Sequence, residues 1–192
     1  GANAEPGTVL MTGVAGLLAG ALSMSAGEYV SVRSQRDMYE YQIALEREEL
    51  AEYPEEEAEE LALIYEARGL ELEQARAMAR TLLSRPEQAL DVLAREELGL
   101  NPDDLGSPLG AAVSSFLAFA VGASLPLLPF FVRGLTHPLW WTIGLTAVAL
   151  AGIGLALSLF TGRGAWQGAL RMLLIGGGAG VGATKVPLQI DR

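Results

Sequence analysis

GTVLMTGVAGLLAGALSMSAGEYVSV, residues 7–32, carries one charged side chain, Glu28. As a helix this run is long enough to cross a hydrocarbon core about 30 Å thick. Gly13, Gly16, Gly20, Ala21 and Gly27 repeat small residues along it, which allows helices to approach closely inside a bundle. A buried helix of a soluble protein can read the same way. Three further runs of similar character in a chain of 192 residues favour a polytopic membrane protein instead.

Residues 108–132 form the second run, and Pro126 and Pro129 late in it predict a kink or an unwound end. Residues 138–160 form the third, and Trp140 and Trp141 near its start suit a membrane interface. Residues 165–183 are the weakest run, with Arg171 inside and glycines at the end. The connections Arg133–His137 and Thr161–Gly164 are too short to hold a domain, so the last three spans are expected as antiparallel hairpin neighbours.

Charge and apolarity are segregated along the chain. Net charge is −10 although mean hydropathy is +0.30. Residues 31–106 hold 20 of the 23 acidic side chains and 8 of the 13 Lys and Arg. Cysteine is absent, which excludes disulfides, thiolate metal sites and thiol catalysis. The single histidine, His137, makes no multi-histidine site. A cation site in this chain must use oxygen ligands, with methionine sulfur as the one soft donor, and such ligands suit Mg, Ca, Mn and Fe(II). The first apolar run has no basic lead-in, so it is not read as a cleavable signal peptide.

The acidic middle is helical by pattern. Arg33 to Leu50 continues the first span without Gly or Pro, which predicts one long helix. Pro54 fits the first turn of the next, Gly69 its end, and Leu61, Ile64 and Tyr65 its apolar stripe. Glu71 to Leu83 reads as a further helix, and Ser84 as a cap before a last helix from Pro86 to Leu98, closed by Gly99. Within LEREELAEYPEEEAEEL, residues 45–61, Glu46/Glu49 and Glu57/Glu60 are each three apart, so each pair lies side by side on one helix face. Two antiparallel helices facing these pairs across a gap can share a divalent cation, with Glu96 and Glu97 completing the site. The competing reading is a solvated acidic face, with Arg47, Arg68 and Arg76 neutralising part of it.

In the apolar part, Glu28 near the end of the first span is either a functional intramembrane carboxylate or an interfacial one. Met24 offers a soft sulfur or simple packing. Ser23, Ser25, Ser114 and Ser115 line a polar path or bond across helices. Arg171 is an interfacial anchor or a partner for Glu28. The glycines of 176–182 lack the Lys and Ser/Thr of a phosphate loop and are read as close packing. No hydrolase or nucleotide motif is present, so an enzyme, an organic cofactor and a nucleic-acid partner are not expected.

AGALSMSAGEYVSVRSQRD (19–37), the acidic run just quoted, RPEQALDVLAREELGL (85–100), SPLGAAVSSFLAF (107–119) and GAWQGALRMLLIG (164–176) together resemble the vacuolar iron transporter family. The resemblance implies an all-α polytopic fold with an inserted cytoplasmic helical metal-binding domain. It divides the chain into residues 1–33 (the family's second membrane helix), 34–106 (the acidic domain) and 107–192 (helices three to five). The family's first helix is expected to be missing, with GAN at residues 1–3 as its last residues, and transport only once it is restored. The resemblance maps the metal-site glutamates onto Glu46, Glu49, Glu57, Glu60 and Glu97, and a translocation methionine onto Met24, with Glu28 along the path. It further implies homodimers that exchange Fe(II) or Mn(II) for protons. Two departures stand out. Leu93 and Ala94 occupy the place of a methionine pair in plant members, and Gly16 that of a glutamate, with Glu28 lower on the same helix.

The resulting expectation is a proton-coupled membrane transporter of divalent iron and manganese. The alternative is a membrane-anchored metal-binding or storage module without transport. Arg33, Arg36 and Arg163 predict a cytoplasmic acidic domain, opposed by Arg133 and Lys185 on the other side. Arginine in excess of lysine, with abundant Ala, Gly and Leu, favours a bacterial plasma membrane over a vacuole.

Overall fold

A computed structural model describes residues 5–184 apart from Arg133 and Arg163. Those two arginines, Lys185 and the GAN start lie outside the described residues. Among the described residues every regular element is helical. The chain divides into two compact units, one holding Ser25–Ser114 and the other the residues up to Met24 and from Ser115 on.

Helix α1, Pro6–Glu52, contributes to both units. Its 47 residues correspond to about 70 Å of uninterrupted helix. Nothing between Arg33 and Leu50 breaks it, as the sequence predicts.

In the acidic unit, α2 (Pro54–Ala67), α3 (Leu72–Leu83) and α4 (Pro86–Glu96) follow α1. Tyr53 alone separates α1 from α2. Pro54 opens α2 at a position where a missing N–H leaves no bond unmade. Gly69 stops it at φ +105°, a backbone state that disfavours a side chain. Ser84 behaves differently from expectation. Its hydroxyl donates back to the carbonyl of Thr81 at 2.7 Å, so it closes α3, and extended Arg85 precedes α4 instead. Leu61, Ala62 and Tyr65 of α2, Ala75 and Ala79 of α3, and Leu93 of α4 make the core, flanked by Leu50 from α1. Alanines at 75 and 79 keep the α3 face flat, so α2 and α4 can both approach it. Arg76 on α3 bonds the Glu59 carboxylate of α2 at 2.6 Å and Glu73 at 2.9 Å, and Arg68 pairs with Glu96.

Leu61 and Leu93 are the largest fully buried side chains. Leu93→Ala is expected to destabilise this unit by about 2–5 kcal/mol, the usual range for a buried Leu→Ala truncation. Thermal unfolding followed by helical circular dichroism measures it. A loss no larger than that of the surface change Leu63→Ala would remove Leu93 from the core.

Helix α5 (Pro108–Ser124) enters the apolar unit at Ser115 and passes into a single 3-10 turn, Leu125–Leu127, and then α6 (Leu128–Phe131). Pro126 and Pro129 fall where the break was expected, and Thr142 on the next helix donates its hydroxyl to the Pro126 carbonyl at 3.0 Å. Helices α7 (Pro138–Thr161) and α8 (Ala165–Thr184) form a hairpin. They meet backbone to backbone at Gly154 and Gly168. A Cβ on Gly154 would sit 2.5 Å from the Gly168 carbonyl oxygen.

Three helical stretches among the described residues are long and apolar enough to cross a membrane: Pro6–Glu52, Pro108–Phe131 and Pro138–Thr161. Only 6%, 6% and 11% of their most apolar windows are buried, so these apolar surfaces face outward, as lipid-exposed helices do. The fourth expected span forms α8 but falls short of that criterion, because Gln167, Arg171 and its glycines hold down its hydropathy.

Candidate metal centre

The phase of each helix in the acidic unit brings glutamates together. Glu46, Glu57 and Glu97 each stand four residues from a core leucine on the same helical run: Leu50, Leu61 and Leu93. Side chains four apart share a face. Packing those leucines against one another therefore carries the three carboxylates to a common edge of the core. Glu46/Glu49 and Glu57/Glu60 also lie seven and four residues before, and four and seven after, the elbow at Tyr53.

One carboxylate oxygen from each of Glu46, Glu49 and Glu57 lies within 4.8 Å of the others. Oxygens on opposite sides of a cation bound at 2.0–2.6 Å are about 4–5 Å apart, so the spacing suits a shared divalent ion. Glu46 and Glu57 are each only 5% exposed. Glu46 Oε1, Glu57 Oε2 and Glu97 Oε2 are buried with no hydrogen-bond partner among the described residues. Such oxygens normally have a donor, because burying a polar atom without one is unfavourable by several kcal/mol.

Burial raises the Glu46 carboxyl to about 8, helped by hydrogen bonding to Glu97 and by the charges of Glu97 and Glu57. Burial also raises Glu57, with the Glu97 charge adding to it, and raises Glu97. All three carboxyls are thus biased towards the protonated form in the absence of a cation. Glu60 is exposed at the rim, where its charge acts on both Glu57 and Glu97.

Arg76 neutralises Glu59 of the acidic block, as expected, but among the described residues none of the three arginines pairs with the converging carboxylates. Arg68 pairs with Glu96 and Arg76 with Glu59 and Glu73, and Arg47 makes no salt bridge among the described residues. Glu96 accordingly leaves the cluster, while its neighbour Glu97 joins it. Adjacent helical residues diverge by about 100°, so only one of the two can face the core edge, and the phase of Leu93 selects Glu97. That signal was present in the sequence. Leu93 and Ala94 are wholly buried and bring no sulfur, so the donors gathered here are carboxylate oxygens.

Met24 and Glu28 lie elsewhere on α1, one turn apart and both exposed. Glu28 is eighteen residues before Glu46, about 27 Å along the helix, and does not join the carboxylate cluster.

The fold and the site define a polytopic helical membrane protein with an acidic helical unit built around converging carboxylates. Residues 1–186 match the VIT family, and the chain belongs to that family. It is 40% identical over 174 residues to a vacuolar iron transporter of Acanthamoeba castellanii, covering 90% of this chain and 63% of that protein. It is 33% identical to vacuolar iron transporter 1 of Oryza sativa subsp. japonica, covering 92% of this chain and 70% of the relative. Vacuolar iron transporter 1 of Arabidopsis thaliana is 34% identical, with 92% and 71% covered.

Proposed function

We propose that this chain belongs to an integral-membrane transporter of divalent iron, and of manganese, that exchanges the metal for protons. Glu46, Glu49, Glu57, Glu60 and Glu97 capture the cation on the cytoplasmic side, and Met24 and Glu28 serve the path through the membrane. The protein works as a homodimer, in a bacterial plasma membrane. The observation that carries the reading is the set of three buried carboxylate oxygens, from α1, α2 and the end of α4, that no protein donor serves. A divalent ion supplies the missing positive charge and satisfies all three at once. An all-oxygen donor set suits Mn(II) and Fe(II) better than it suits soft metals. The names of the relatives point to iron as cargo. A site that holds a proton near neutral pH and gives it up to a cation also provides a simple coupling between metal capture and protons.

The test is Mn(II) binding to the detergent-solubilised protein by electron paramagnetic resonance, followed by Fe(II) uptake into proteoliposomes across a pH gradient. Glu57→Gln with Glu60→Gln is expected to weaken Mn(II) binding by about 100-fold or more, beyond the 10–100-fold that losing an outer-sphere partner brings. Unchanged binding would sink the capture site. Tight binding with no gradient-dependent uptake, by a protein that carries the family's first membrane helix ahead of this chain, would instead leave the storage reading.

A further inference from the structure

We propose that the groove between α7 and α8 binds the phosphate of an anionic phospholipid, with Arg171 as its cationic anchor. The groove encloses about 630 Å³ and is lined on its polar side by Ser158, Thr161, Gln167 and Arg171, and on its apolar side by Leu157 and Met172. That volume falls within the roughly 300–1,000 Å³ usual for small-ligand sites. A membrane lipid fits both halves, with its phosphate on the polar wall and an acyl chain along Leu157 and Met172.

Charge argues for the same occupant. From Ser115 to Thr184 the sequence contains no Asp or Glu, and Arg171 makes no salt bridge among the described residues. In a membrane protein, a cation on a helix packed against a membrane-spanning one is unfavourable unless it is paired or reaches the interface. Arg171 is six residues into α8, about 9 Å from the helix start, within snorkelling reach of headgroup depth. Trp166, five residues earlier and 75% exposed, is the kind of side chain that marks that depth.

The hydroxyls refine the chemistry. Ser158 donates to the Leu155 carbonyl at 2.6 Å and Thr161 to the Leu157 carbonyl at 3.0 Å, so both are engaged within α7. The donors left to face an anion are the Arg171 guanidinium and the Gln167 amide. A guanidinium fork bonds two phosphate oxygens at once, which a lysine cannot do. Basic pockets between membrane helices are where anionic headgroups settle.

The experiment is native mass spectrometry of the purified protein titrated with phosphatidylglycerol, phosphatidylcholine or inorganic phosphate, with thermal midpoints recorded in parallel. Retention of phosphatidylglycerol at least about tenfold above phosphatidylcholine is expected, with a rise in midpoint and no effect of inorganic phosphate at equal concentration. Arg171→Gln should abolish that preference, and Arg171→Lys should keep it in weakened form. Arg85→Gln, in the acidic unit, should leave it intact. Should Arg171→Gln fail to fold, the weakened preference of Arg171→Lys decides the matter. Undiminished selectivity in the Arg171 variants would overturn the proposal, and so would inorganic phosphate matching the lipid.

Discussion

Glu46→Gln is expected to weaken Mn(II) binding and to flatten its pH dependence. In the native protein one proton must leave Glu46 before the cation is fully coordinated. Its carboxyl is held at about 8, so affinity should rise by about tenfold per pH unit from roughly pH 6 towards 8. Glutamine has no proton to release, and the slope attributable to Glu46 disappears. The metal-free protein gives the second half of the result. Burial lifts the folded-state pKa of Glu46 above the ordinary glutamate value of 4.5, so the folded state binds the extra proton. The stability Glu46 contributes is therefore full below about pH 4.5 and is lost as pH rises through about 8. Without metal, the native protein should unfold at a lower temperature at pH 8 than at pH 5. Glu46→Gln should remove much of that difference, and Mn(II) should reverse it in the native protein only. Thermal unfolding by circular dichroism at the two pH values, with and without Mn(II), measures both effects. Identical pH profiles for variant and native protein would mean that Glu46 is not the group that releases the proton.

Gly154→Ala is expected to damage the apolar unit strongly. The new Cβ would lie 2.5 Å from the Gly168 carbonyl oxygen and 2.7 Å from the Ala169 Cα. Both are backbone atoms, so no side-chain rotation relieves the clash and α7 must move away from α8. Overpacking of this kind destabilises by about 1–3 kcal/mol, more where backbone is displaced. Gly152→Ala is the control, because a Cβ on Gly152 of the same helix meets nothing within 4 Å. Thermal aggregation in detergent should separate the two variants by several degrees, on the order expected for that free-energy difference. Equal midpoints would show that the hairpin tolerates separation at this crossing.

The helical fold and its punctuation were largely legible in the sequence, because proline and glycine act locally. Pro54 opens α2, Gly69 ends it, and the two late prolines turn the end of α5 into a 3-10 turn. Ser84 was misread because a hydroxyl between two helices can serve either one, and only the bond to Thr81 decides. The glutamate spacings were legible, but how the arginines are distributed was not. Arg68 and Arg76 look equally able to quiet the acidic block until α2, α3 and α4 are packed, when both are drawn to its outer faces. Arg171 was legible as a lone cation in an apolar run. The hydroxyl and amide groups beside it were not, because they come from two helices whose register is set by the Gly154–Gly168 crossing.

The single-residue elbow at Tyr53 has a consequence for how this segment can drift over evolutionary time. The carboxylates that converge are selected by angular phase on either side of one joint, while Glu48, Glu52, Glu55 and Glu56 lie off that phase. The off-phase acids are interchangeable with other polar residues, since composition matters little there. Length is not interchangeable. One residue gained or lost beside Tyr53 would turn everything downstream by about 100° and scatter the carboxylates around the helix without altering a single charge. Outside the converging glutamates the segment is therefore permissive to substitution, while throughout it is intolerant of insertion and deletion, the reverse of what its low-complexity appearance suggests.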